Sequence, residues 1–131
     1  MNLLLDTHTL IWWLRNSRNL GRRTRGLIED QANDIWISAA SIWEMCIKAS
    51  LERLHLAEGF DGELAEEMER SGFRTLRVEF RHAFAVRYLP WHHTDPFDRM
   101  LIAQAQCEEL TLVTADEEIP AYGISVIDAS R

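Results

Sequence analysis

The sequence has only two cysteines, Cys46 and Cys107, far apart and outside any Cys-x-x-Cys pair. That excludes a disulfide scaffold and a paired-cysteine zinc or redox site, and it suits a reducing cytosol. Proline and glycine are also few, at three and six, while 47% of residues are apolar and 27% charged, which excludes the disordered, low-complexity classes. At 131 residues the expectation is one domain spanning 1–131, with no linker or internal repeat. Long apolar runs are missing: the stretch from Ile35 to Trp43 is broken by serines and ends after ~9 residues, short of the ~20 a membrane helix requires. The opening Met1-Asn2-Leu3-Leu4-Leu5-Asp6 lacks the basic start and apolar length of a secretory signal. A cytoplasmic location with no membrane association is the expectation. No G-x-x-x-x-G-K-[ST] or G-x-G-x-x-G is present, so neither ATP nor a dinucleotide is expected as cofactor.

Basic charge is scarce as well. A net charge of -7 argues against a protein that coats DNA through long-range attraction to phosphates. It leaves nucleic acid open. Of the 14 basic residues only Lys48 is not arginine, a bias that either coding preference or phosphate contacts would produce.

What is present is an alternation of short apolar runs and helical patterns. Leu3-Leu4-Leu5 reads as a strand buried on both faces and ended by Asp6, followed by a helix over Thr7 to Leu14 with no polar face. A weakly amphipathic helix is predicted from Gly21 to Gln31, then a strand over Ile35 to Ile37. Ser38 caps a helix reaching about Ala49. A helix over Asp61 to Arg70, ended by Gly72, precedes a strand over Arg74 to Val78 and a short helix through Ala83, Phe84 and Val86. Asp95 and Pro96 have the N-cap and first-position chemistry of a helix running to about Glu109. Strands over Thr111 to Thr114 and Ile124 to Ile127 close the chain. The alternation predicts a three-layer α/β/α sandwich with a mainly parallel central sheet.

Ligands of open parallel sheets collect at the carboxyl ends of strands, where Asp6 and Asp116 leave buried runs. Taken singly, Asp6 is also explained as an N-cap and Asp116 as a turn acid. Glu44, among apolar and small neighbours on a mostly buried helix, requires a cation. Asp98 joins an apolar stripe through Leu101, Ile102 and Ala105, with favourable placement at a helix start as the bland account. Four converging carboxylates repel, which raises at least one of their pKa values in the metal-free state. The remedy is a hard cation with oxygen ligands, Mg²⁺ or Mn²⁺, suited to phosphodiester hydrolysis.

The segments Leu4-Leu5-Asp6-Thr7-His8, Ile37 to Glu44, His93-Thr94-Asp95-Pro96-Phe97-Asp98-Arg99 running on to Ala105, and Val113-Thr114-Ala115-Asp116 resemble PIN domains, and more narrowly the VapC-type ribonuclease toxins. The resemblance covers essentially the whole chain in the right order. It implies a metal-dependent RNA endonuclease whose acid cluster maps onto Asp6, Glu44, Asp98 and Asp116, with Asp6 and Asp98 foremost as direct ligands. It implies a supporting hydroxyl at Thr114, with Ser38 in a similar part, an antitoxin protein as inhibitor, and a homodimer.

Other residues are expected to serve the framework. Asp95 reads as a cap, and His92 and His93 as formers of capping or loop hydrogen bonds. His8 lies one turn past Asp6 and is placed to face the site. Arg99 is expected either to meet a substrate phosphate or to bridge to a nearby acid. Trp12, Trp13, Trp36 and Trp43 read as core or interface rather than as an RNA-stacking platform. The apolar surplus of Leu10 to Leu14 and of Ile42, Trp43, Met45 and Ile47 is the expected dimer surface. Two other readings compete: a phosphatase with Asp6 as nucleophile, which has His8 where a second Asp is usual, and a non-catalytic PIN-like scaffold that binds RNA or a partner.

Overall fold

A computed structural model describes residues 1–131. The elements in chain order are β1 (Asn2–Leu5), α1 (Thr7–Leu14), α2 (Arg22–Glu29), β2 (Asp34–Ser38), α3 (Ala39–Ser50), α4 (Phe60–Ser71), β3 (Arg74–Leu76), α5 (Phe80–Val86), α6 (Pro96–Glu108), β4 (Thr111–Thr114) and β5 (Val126–Asp128), with a 3₁₀ turn at Ile119–Tyr122. All five strands are parallel, in the order β3-β2-β1-β4-β5. The sheet is wholly parallel where a mainly parallel one was expected.

The two-residue period of a strand sorts β1 between two cores. Leu3 and Leu5 pack with Leu10, Ile28 and Met45 from the helices on one face. Leu4 faces the other way, into a cluster with Leu101, Ile102 and Leu112. Both faces are therefore covered by helices, which is why the central strands are uninterrupted apolar runs rather than alternating ones. No helix is long and apolar enough to cross a membrane.

Strand order fixes where a ligand can lie. The chain builds β1, β2 and β3 outward in one direction, then returns to add β4 and β5 on the other side of β1. The crevice at the carboxyl ends of β1 and β4 is the switch point of such a sheet. Leu5 of β1 lies in register with Ile37 of β2 and with Val113 of β4, so residues 6, 38 and 114 leave the sheet at neighbouring points.

Expected and observed boundaries differ at the edges. β3 stops at Leu76 rather than Val78, and β5 begins at Val126 rather than Ile124. Both are three-residue outer strands, where pairing on one side alone ends the ladder early.

The apolar surplus also lies elsewhere than expected. Leu10, Ile11 and Met45 are buried, and Trp12, Trp13, Leu14, Ile42 and Ile47 are half-buried. Of the expected surface only Trp43 stays exposed; the other exposed aromatic side chains are Phe80 and Phe84, one turn apart on α5, then Tyr88 and Trp91 in the loop beyond it. Trp43, 64% exposed, packs edge-on against Phe97 and is not a core residue.

Candidate metal centre

Four elements place the acids so that the charges of Asp6, Glu44 and Asp116 each reach Asp98, while only Asp98 and Asp116 join His93 in one cluster of ligand atoms. Asp6 follows β1 and caps α1, its Oδ1 accepting the Thr9 amide at 2.8 Å while its Oδ2 accepts the Thr114 hydroxyl at 2.6 Å. Only 4% of Asp6 is exposed, and burial holds its pKa above the usual carboxylate range against the opposing pull of these bonds. Thr114 ends β4 and does two things at once, donating to Asp6 and accepting the Asp116 amide at 3.0 Å.

Glu44 projects from α3 with 3% exposure. Thr7 donates its hydroxyl to Glu44 Oε1 at 2.6 Å, and Lys48, one turn on, pairs with Oε2 at 2.7 Å. The cation that a buried glutamate requires is thus partly supplied within its own helix. Neither partner was identified as such from the sequence, although the i, i+4 spacing of Glu44 and Lys48 carries the signal.

Asp98, in the first turn of α6, senses all of its neighbours. Its pKa is pushed up to about 7, first by burial and then by the negative charges of Asp95, Asp6, Glu44 and Asp116. Asp95 is the expected cap, its Oδ1 accepting the amides of Phe97 and Asp98 at 2.9 and 3.0 Å.

One expectation is corrected here. Arg99 is 2% exposed and donates to the carbonyls of Val86, Leu89 and Pro90, with Trp91 stacked 3.7 Å from its guanidinium. It clamps the loop between α5 and α6 and presents nothing to a substrate phosphate, nor does it bridge to an acid. His93 does form loop hydrogen bonds, through its amide and Nδ1 to the Tyr122 hydroxyl, each at 3.2 Å. Its other nitrogen reaches the site: ligand atoms of His93, Asp98 and Asp116 lie within 4.8 Å of one another.

Ser38 is fully buried away from solvent. It caps α3 at the Ala40 amide and donates to Gln104 Oε1 at 2.6 Å, so it joins the helix bearing Glu44 to the helix bearing Asp98. Gln104, whose amide also donates to the Arg77 carbonyl, escaped the sequence reading, and a lone amide inside the apolar stripe of α6 was its signal. His8 is exposed, near enough for its charge to favour ionised Asp6. His92 meets the edge of Tyr122.

The donor set, carboxylate oxygens and one buried imidazole nitrogen without a partner, fits a divalent cation. A cavity of about 650 Å³ lies elsewhere: Trp13, Leu14, Met45, Leu56, Phe60 and Leu64 line it, and none of the four acids does.

A family model described as PIN domain matches residues 3–124. Among solved structures, VapBC2 from Rickettsia felis, bound to a DNA fragment from their promoter, is similar at 16% identity, covering 97% of this chain and 98% of that one with a TM-score of 0.72. DNA-bound VapBC from Salmonella typhimurium shares 19% identity over 98% of both chains, with a TM-score of 0.70. A toxin-antitoxin complex from Klebsiella pneumoniae shares 22% identity over 97% of both, with a TM-score of 0.64. Comparison with curated proteins finds no match.

Proposed function

This chain belongs to the PIN-domain family, and from that premise we propose that it is a divalent-metal-dependent endoribonuclease, the toxin of a bacterial toxin-antitoxin pair. One observation carries the reading: Asp98 stands under the summed charge of Asp6, Glu44, Asp95 and Asp116 at the switch point of a parallel sheet. So many acids in one crevice suit a cation better than a fold without one.

Mg²⁺ or Mn²⁺ bound by Asp6, Glu44, Asp98 and Asp116 would supply positive charge against a phosphodiester and lower the pKa of a water. The residues do the rest. Thr9 and Thr114 fix both oxygens of Asp6, and Thr7 fixes Oε1 of Glu44, so the carboxylates are oriented before a ligand arrives. The Asp98 carboxyl, its pKa raised to about 7, is the member of the cluster that exchanges a proton near neutral pH. Hydrolysis then forms one bond from water oxygen to phosphorus and breaks one to a ribose oxygen, which leaves with a proton.

The partner proposal is an antitoxin segment seated in the apolar groove between α1, α3 and α4, supported by the similar chains having been solved within VapBC and toxin-antitoxin complexes. A homodimer is proposed on the exposed aromatic face of α5.

Expression in bacteria tests the reading. Wild type should arrest growth, and Asp98→Asn at equal abundance should not. Equal arrest by both would favour a scaffold that acts by binding.

A further inference from the structure

We propose that His93 Nε2 is a direct ligand of the divalent cation beside Asp98 and Asp116, making the centre a mixed nitrogen and oxygen site that prefers Mn²⁺ to Mg²⁺. The inference rests on reading the acid cluster as a metal centre, and goes beyond it in both ligand and metal choice.

The His93 side chain is 10% exposed, and its Nε2 is buried with no hydrogen-bond partner. The nearest acid atom, Asp116 Oδ2 at 3.8 Å, is beyond hydrogen-bond reach. If Nε2 carries the hydrogen, a buried donor goes unused. If Nδ1 carries it, the bare lone pair of Nε2 lies buried without a donor, close to the carboxyl oxygens of Asp98 and Asp116. A cation among the three, with the ring hydrogen on Nδ1, gives Nε2 a partner.

The ring is also held in place from its far side. Nδ1 bonds the hydroxyl of Tyr122, which is itself 8% exposed and also receives the His93 amide. Such an outer bond fixes ring orientation in metal sites. His82 provides the contrast: it too lies near two acids, Glu79 and Glu108, yet its Nδ1 accepts the Glu79 amide and its Nε2 meets Glu108, each at 3.0 Å. Both of its nitrogens are occupied, and that cluster is a helix cap. Imidazole donors suit transition ions, whereas Mg²⁺ demands oxygen and gives up water reluctantly. His93 therefore tilts an acid cage toward Mn²⁺.

The experiment is electron spin-echo spectroscopy of the full chain loaded with Mn²⁺, with titrations of Mn²⁺ and Mg²⁺ alone and no RNA present. Wild type and His92→Gln should show modulation from a directly coordinated nitrogen. His93→Gln should lose it, with Mn²⁺ affinity falling roughly tenfold or more and Mg²⁺ affinity falling less. Binding of Mn²⁺ that depends on Asp98 but shows no nitrogen coupling would overturn the proposal, as would coupling that survives in His93→Gln, or absence of Mn²⁺ binding. An equal loss of Mg²⁺ affinity would overturn the metal preference. A chain that shows the coupling and fails to cut RNA contradicts the nuclease reading alone, and one that cuts without coupling contradicts the ligand alone.

Discussion

Thr114 donates its hydroxyl hydrogen to Asp6 Oδ2 at 2.6 Å, tying the end of β4 to the end of β1 where the sheet changes direction. Both residues are almost wholly buried, so the bond orients a carboxylate that has little water to solvate it. Thr114→Val keeps the shape and removes the donor. It should cost ~1–3 kcal/mol of stability and weaken cation binding, with Thr114→Ser restoring both. Melts with and without Mn²⁺ check this, and a Val variant binding as wild type contradicts it.

Asp98 sets the pH dependence of the metal-free protein. Its folded pKa of about 7 lies above the unfolded ~4, so the folded state binds the extra proton. Stability from this group is complete below pH ~4 and is lost as pH rises through about 7. Asp98→Asn should therefore melt higher than wild type at pH 7.5 in EDTA and flatten the decline between those limits. Metal should stabilise wild type, by ~2.7 kcal/mol at a hundred times Kd, and the variant less. A variant that is less stable without metal, yet equally stabilised by it, would mean that Asp98 serves only the helix.

Lys48 both neutralises Glu44 and competes with a cation for it. Lys48→Met should lower metal-free stability, by between the ~1 kcal/mol of an exposed pair and the ~3 of a buried one. It should also tighten Mg²⁺ or Mn²⁺ binding. Calorimetric titration decides, and weaker binding in the variant contradicts the competition.

Much of this was legible because local chemistry and tertiary demand agree. Leu3-Leu4-Leu5 ended by Asp6, and Asp95-Pro96 opening a helix, each state one conformation, and the structure adopts it. Glu44 was legible as an acid on a mostly buried helix and Asp98 as one joined to an apolar stripe, while Asp6 and Asp116 drew notice by leaving buried strands at one edge of the sheet. Hidden were the contacts made by folding. Arg99 looks like any arginine beside an acid until the loop from Val86 to Pro90 wraps its guanidinium in carbonyls. His93 and its neighbour His92 are the same residue type in one loop, and only Tyr122, 29 positions away, turns the His93 ring so that Nε2 meets the acids. Thr7 meets Glu44 from 37 positions away, which no short motif encodes.

The exposed aromatic face of α5 carries the assembly prediction. Phe80 and Phe84 are 83% and 70% exposed, so replacing both with serine should leave the fold intact. Wild type should scatter light as a dimer and the double variant as a monomer. A wild type already monomeric at high concentration contradicts the interface.

Cleavage of a defined RNA by the purified chain tests the acid cluster most directly. Wild type should cut in Mn²⁺ or Mg²⁺ and stop in EDTA, and Asp6→Asn should bind RNA yet cut at least ~100-fold more slowly, corresponding to a loss of at least ~2.7 kcal/mol of transition-state stabilisation. Cutting by Asp6→Asn at the wild-type rate, or by wild type in EDTA, would show that these carboxylates do not hold the catalytic metal.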